Sequence, residues 1–290
     1  MLGVHVSKKS LVLDKKTSAK SLAHAIKRDT DALNLNSAQV FTYGPRVTKR
    51  NKFNPSRIKE VTKDLHLSVH SAYSTVSVWK ILPNTPSSDK KKILTAVNDQ
   101  IKSCAEINAV YWVLHITKQL PEQVAYVMKK YIKPIAKKHK VKVLLEMVSS
   151  KADELLTYET PEKINNLTTT IKPADWWGWC VDTAHLHGAG VAIRTNTQMS
   201  AWLKKLKYPK TIKMFHLNGS SVKLGSGKDK HEVPFGKYDV LWGNIVPEQS
   251  AVYSICQFAK KYNTVIICEI KRGSQKSVEH ALEKITDMLV

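Results

Sequence analysis

The amino-acid sequence predicts an α/β fold, a TIM-type (β/α)8 barrel, on three observations. Short runs rich in branched aliphatic residues alternate with helical stretches eight times along the chain, the pattern of a parallel sheet crossed by helices. Those runs are apolar on both parities, as strands covered on both faces are. At 290 residues the chain has the length that eight strand–helix units take, which favours a closed barrel over an open doubly wound sheet. No linker or low-complexity stretch interrupts the pattern, so residues 1–290 are expected to form one domain.

In order, the first strand falls at 2–6 and a helix at 18–27 follows. The second strand, 37–42, is broken by Gly44-Pro45, and Asn54-Pro55 opens the second helix with proline at a tolerated early position. A short third strand at 67–70 leads to a helix over about 88–107. The fourth strand spans 110–115, and the helix after it, 122–138, should be kinked by Pro134. Next come the fifth strand at 141–146, a helix within 151–171, the sixth strand at 178–182 and a helix around 197–207. The seventh strand, 212–217, is followed by a long Gly/Ser/Lys loop at 219–238. A helix at 249–262, the eighth strand at 264–269 and a helix at 277–289 close the chain.

A hydrophobic fraction of 42% with only 11 Gly and 11 Pro argues for a folded globule. No apolar run approaches the roughly 20 residues that span a bilayer, and the start Met1-Leu2-Gly3-Val4-His5 lacks a signal-peptide pattern. The expectation is a soluble intracellular protein with no membrane partner, in the cytoplasm or nucleus, or in a virion were the source viral. Lys+Arg outnumber Asp+Glu 46 to 24, a net charge of +22. A surplus of this size favours a polyanionic partner, because each phosphate neutralised releases counterions. The four cysteines, Cys104, Cys180, Cys256 and Cys268, form no C-x-x-C pair and lie in apolar segments, so buried free thiols are expected.

The polar residues are informative by position. His70, His115, Glu146, Asp182, His216 and Glu269 each end an apolar run at the end of an expected strand. In a barrel those ends converge on one rim, where active sites are built. A lone histidine there is usually a packed, hydrogen-bonded side chain, and a lone glutamate can pair with a lysine. Six such groups in register would repel or lose hydration unless cations neutralised them. Imidazole with carboxylate and no thiolate suits zinc or manganese. His5 also ends a strand but has no matching acid, while His66, His139 and His280 are expected on helices or loops, solvated. Asp182 and His185, three apart, fit a strand end followed by a tight turn, so one segment can serve two ions. In the 219–238 loop, Asp229 and His231 can chelate one ion on an extended segment, with His185 completing the set. Gly225-Ser226-Gly227-Lys228 does not satisfy the phosphate-loop pattern, since Asp229 stands at its hydroxyl position.

From Gly3-Val4-His5-Val6-Ser7 to Glu269, the chain resembles the endonuclease IV family of zinc-dependent apurinic/apyrimidinic endonucleases. The matching motifs are Cys180-Val181-Asp182-Thr183-Ala184-His185, Phe215-His216-Leu217-Asn218 and Gly225-Ser226-Gly227-Lys228-Asp229-Lys230-His231, at matching separations. The resemblance implies an endonuclease IV-like TIM barrel, related to xylose isomerase, with three Zn2+ per chain and Mn2+ as a substitute. It implies one ion on His70, His115 and Glu146, with Glu146 bridging to a second on Asp182, His216 and Glu269. His185, Asp229 and His231 would hold the third. The implied reaction is hydrolysis of the phosphodiester 5′ to an abasic site in double-stranded DNA by a hydroxide shared between ions. It leaves a 3′-hydroxyl and a 5′-deoxyribose phosphate, and 3′-repair diesterase or exonuclease activity is a further expectation. Glu146 and Glu269 would fix the nucleophile and help as general bases. Arg46 and Tyr73 align with loops that enter DNA, and Lys223, Lys228, Lys230 and Lys271 would hold flanking phosphates. The chain departs from the family in having Ser74 where a bulky apolar wedge is expected. It departs again in Met147-Val148-Ser149-Ser150 and in Phe235-Gly236-Lys237-Tyr238.

Two other functions compete. A metal-dependent sugar isomerase or epimerase on the same barrel would need one or two ions and gives no reason for the charge or for Asp229-Lys230-His231. A non-catalytic DNA-binding protein would bind in a salt-sensitive way without cutting. The enzyme is expected to act as a monomer.

Overall fold

A two-residue side-chain period lets a five-residue strand place one side chain in the floor of a barrel and another at its rim. The computed structural model describes residues 1–7, 19–45, 49–149, 157–270 and 275–290. In chain order these form β1 (Leu2–Val6), α1 (Leu22–Ala32), β2 (Ser37–Phe41), α2 (Pro55–Val61), β3 (His66–His70), α3 (Ser87–Glu106) and β4 (Tyr111–Ile116). There follow α4 (Pro121–Val127), α5 (Lys133–His139), β5 (Lys142–Met147), α6 (Pro161–Ile171), β6 (Trp177–Asp182), α7 (Thr183–Gly188) and α8 (Asn196–Lys204). The rest are β7 (Ile212–His216), β8 (Gly219–Ser220), β9 (His231–Glu232), α9 (Ala251–Tyr262), β10 (Val265–Cys268) and α10 (Gln275–Leu289).

Eight strands close in the order β1-β10-β7-β6-β5-β4-β3-β2, and every pair in the ring is parallel. The predicted (β/α)8 barrel is therefore the observed one. Its core has two layers. Tyr111, Val113, Leu144, Cys180, Met214, Val265 and Ile267 make a cluster of their own. Each lies an even number of residues from a polar residue at the same strand's end, so they fill the interior floor beneath the rim. The other strand parity packs against the helices, with Trp79, Trp112, Trp177, Trp179 and Trp242 fully buried there. All four cysteines are buried and free.

Several boundaries differ from expectation for local reasons. The first helix starts at Leu22, because Ser21 caps it by accepting the His24 N–H at 3.2 Å. Residues 8–18, where it was expected to begin, lie outside the described residues, as do 150–156, the first part of the helix expected within 151–171. Pro134 falls in the first turn of α5, where a missing N–H is tolerated. The turn before it, Met128–Ile132, widens to a π-helix, which accommodates the missing proline N–H without breaking the run. A 3-10 segment, Tyr73–Lys80, fills the gap between β3 and α3. His66 opens β3 rather than lying on a loop, and burial pushes its pKa down to about 4. Among the described residues no helix is long and apolar enough to cross a membrane.

Candidate metal centre

The rim is built by strand register. β4 and β5 pair so that His115 lies beside Glu146. A register shift between Trp179 and Cys180 sets Asp182 beside His216 across β6 and β7. His70 ends β3, and Glu269 follows β10. These side chains converge on Glu146, whose carboxylate is fully buried. Its Oε2 lies 3.2 Å from His70 Nε2 and 3.1 Å from His115 Nε2. Its Oε1 lies 3.0 Å from His216 Nδ1 and 3.5 Å from His185 Nδ1. His216 Nδ1 also faces Glu269 Oε2 at 3.4 Å and Asp182 Oδ2 at 3.8 Å.

The hydrogen bonds show what this cluster lacks. His70 Nδ1–H donates to the Ser71 carbonyl at 2.8 Å, and His185 Nδ1–H to the Met147 carbonyl at 2.7 Å. His216 Nε2–H donates to Gln39 Oε1 at 3.0 Å. Each imidazole thus spends one N–H on a neutral acceptor and turns its other nitrogen, bare in the neutral ring, toward a carboxylate. Two acceptors held this close need a cation between them, either a proton or a metal ion. Glu146 Oε2 and both ring nitrogens of His231 are buried and, although charged neighbours lie close, make no hydrogen bond of proper geometry, which suits a site whose partners are metal ions. Among the described residues, four donor groups could hold an ion: His70-His115-Glu146, Glu146-Asp182-His216-Glu269, Asp182-His185-His231 and Glu146-Cys180-His216. Nitrogen and oxygen donors in such sets fit zinc.

The second half of the site comes from elements too short to see in sequence. Asp182 is the N-cap of α7: its Oδ1 accepts the His185 N–H at 2.9 Å. The three-residue spacing is therefore that of a capped helix start, not of a plain turn. Within the 219–238 loop, β8 and β9 pair antiparallel, Ser220 against His231. That ladder swings the loop back over the barrel, where Asp229 Oδ1 lies 2.7 Å from His231 Nε2 and 3.6 Å from His185 Nε2. His231 Nε2 is 3.6 Å from Asp182 Oδ2, which ties the two halves together. All nine residues expected to bind metal lie in this one contiguous cluster.

Charge balance follows from the same contacts. Burial would push the Glu146 carboxyl up, but His216 and His115 reverse this and hold it well below the usual range. Burial alone would depress His185, yet the nearby carboxylates of Asp182, Asp229 and Glu146 raise it to about 10. His231 is raised in the same way by Asp182 and Asp229 against its burial. At neutral pH His185 therefore holds a proton unless a metal displaces it, and His231 is biased in the same direction. Zinc uptake should therefore release protons, and zinc affinity should climb as pH rises from 6 to 8, about tenfold per unit for each proton displaced. Titration calorimetry in buffers of different ionisation enthalpy checks this; uptake with no proton release contradicts the assignment.

Some functional neighbours were not anticipated. Gln39, the polar residue inside the second strand, donates to Glu269 Oε1 at 2.9 Å while accepting from His216. Its place amid Ser37-Ala38-Gln39-Val40-Phe41 was the available signal. Asn218 donates to Asp182 Oδ2 at 2.8 Å and accepts the Glu269 N–H at 2.8 Å. His5 has an acid after all: its Nδ1 lies 3.5 Å from Glu269 Oε1, across the β1–β10 seam. Tyr73 stands at the mouth, 36% exposed, with its ring stacked on His115 at 5.3 Å. Lys223, Lys228 and Lys230 are exposed on the loop that carries Asp229, whereas Arg46 and Lys271 lie outside the described residues.

A parallel barrel with its polar ring at the strand ends defines a class. The chain belongs to the xylose isomerase-like TIM barrel family, whose model matches residues 28–288. Within it, the chain is similar to the "Probable AP endonuclease" of African swine fever virus, 28% identical over 260 residues, 85% of this chain and 82% of that one. It is also similar to the "Probable endonuclease 4" of Nitrosopumilus maritimus, 26% identical over 261 residues, 86% of this chain and 88% of that one. Among solved structures, that of AsfvAP:AG superposes with a TM-score of 0.83 at 23% identity, covering 100% of this chain and 99% of the other. Endonuclease IV from Thermus thermophilus gives 0.69 at 19% identity, covering 99% and 98%. A D-tagatose 3-epimerase-like protein gives 0.63 at 18%, covering 99% and 96%. At these identities the structural likenesses speak for the fold.

Proposed function

We infer that this chain is a metal-dependent apurinic/apyrimidinic endonuclease of base-excision repair. It hydrolyses the phosphodiester 5′ to an abasic site and leaves a 3′-hydroxyl and a 5′-deoxyribose phosphate. One observation carries the reading: eight acid and imidazole side chains form overlapping donor groups, Glu146 belonging to more than one at once, and Asp229 adjoins them through His185 and His231. The similarity to proteins named as AP endonucleases supports it.

On this reading His70, His115 and Glu146 hold one Zn2+, and Glu146, Asp182, His216 and Glu269 a second. His185, Asp229 and His231 hold a third, with Mn2+ able to substitute. Bound, the ions supply an activated water and neutralise the charge that builds on the phosphate in hydrolysis. The chain's own groups orient that chemistry. Gln39 and Asn218 fix the tautomer of His216 and the backbone of Glu269. Glu146 and Glu269 are the carboxylates placed to take up a proton from the attacking water. Lys228 and Lys230 hold flanking phosphates, while Tyr73, with Arg46, contacts the DNA around the lesion. A nucleotide without a base has no stacking or pairing to lose, so it is the easiest to extrude into the mouth. The enzyme works as a soluble monomer on double-stranded DNA.

The test is elemental analysis of the purified chain together with incubation on a duplex bearing one tetrahydrofuran site. Three zinc ions per chain and a single cut on the 5′ side are expected. One or two ions without a cut would instead fit a sugar isomerase or epimerase. Salt-sensitive binding without a cut would fit a DNA-binding protein.

A further inference from the structure

His187 is a buried imidazole with no part in the cluster described above. It lies on α7 two residues after His185, 6% exposed. Its Nε2–H donates to the Val222 carbonyl at 2.8 Å, and its own carbonyl accepts the Gly225 N–H at 3.0 Å. One residue on, the Gly188 carbonyl accepts the Gly227 N–H at 2.8 Å. Three hydrogen bonds thus fasten residues 222–227 to the end of the helix whose first turn carries His185. The approach is close: a Cβ on Gly188 would meet the Lys228 carbonyl at 2.8 Å and Ser149 Oγ at 2.2 Å. Gly225 and Gly227 take φ of +71° and +68°, so the chain turns tightly here and delivers Asp229 next.

We propose that His187 is the positioning residue for the His185-Asp229-His231 ion. By gripping Val222 it sets the distance between Asp229 and His185, which share no secondary-structure element. The proposal rests on the three-ion reading above. It says further that this ion is held by a separately fastened strap, while the other two depend on barrel strands and on Glu146.

Zinc itself is the probe, measured per chain by elemental analysis before and after exposure to a chelating dye. His187→Phe keeps a flat ring, slightly larger, and removes the donor; His187→Gln keeps an N–H of similar reach. The wild-type chain should hold three ions and His187→Gln should hold three. His187→Phe should lose one ion to the chelator about tenfold or more readily, the scale of a missing outer hydrogen bond, and keep the other two. A general loss of structure would not remove a single ion and be rescued by glutamine. Gly225→Ala supplies a second route should the phenylalanine variant fail to fold. Its Cβ has room, the nearest atom being Gly190 Cα at 3.6 Å, but the backbone must strain at positive φ, and it should loosen the same ion. Three ions held at wild-type strength in His187→Phe, or in Gly225→Ala where the first does not fold, overturn the proposal. So does the loss of all three together. A wild-type chain with fewer than three ions overturns the three-ion reading itself, before any variant is made.

Discussion

Glu146→Gln is expected to abolish incision of an abasic duplex while the barrel stays folded. The substitution keeps volume and one carbonyl oxygen, so the floor residues Leu144, Val113 and Cys180 beneath it need not move. What it removes is the negative charge facing His70, His115, His185 and His216 at 3.0–3.5 Å. Withdrawing one partner from a buried charged cluster costs about 3–5 kcal/mol. That is a cost in stability; the rate itself should fall by roughly two to three orders of magnitude or more, the scale of removing one preorganised group from a dry active site. The loss should exceed that of any single histidine replacement, because Glu146 alone belongs to two of the proposed ion groups. Unchanged circular dichroism with cleavage below detection is the expected pair of results. Full activity in a folded variant would remove Glu146 from the mechanism.

The second large effect is ionic. With 46 basic against 24 acidic residues, duplex binding should weaken steeply with salt. If about six phosphates are neutralised, the slope of log K against log salt is near −5. A fourfold rise in salt then lowers affinity about a thousandfold. Charge reversal at Lys228 and Lys230, exposed beside Asp229, should flatten the slope by about one unit for each phosphate no longer neutralised. Fluorescence anisotropy with an uncut duplex measures it. A slope near zero means that the surplus charge serves something other than DNA.

The barrel was legible because its signal repeats: eight apolar runs, each ended by a turn, can hardly be read as another fold. The rim was legible for a related reason. Inward residues recur every second position, so a polar residue such as Glu146 after Val143-Leu144-Leu145 marks the top of a strand. The elements that complete the site left no such mark. α7 has six residues and β8 and β9 two each, too few for any period to show. Their effect is large, since they bring Asp229 and His231 to Asp182 and His185. Gln39 was hidden differently: its neutral amide carries no charge and binds metal weakly, so nothing in its residue type marks it as part of a site of acids and imidazoles. The same holds for Asn218, whose amide joins Asp182 to the Glu269 backbone.

The seam between β1 and β10 has one more consequence. Leu2 lies beside Ile266 and Val4 beside Cys268, and Glu269 meets His5 and Gln39 just above that junction. Strands far apart in the chain therefore finish the cluster together. A chain still being synthesised, or one truncated before residue 265, lacks its final stave and one of its carboxylates at the same stroke. Closure of the cylinder and completion of its ring of acids and imidazoles wait on the same segment.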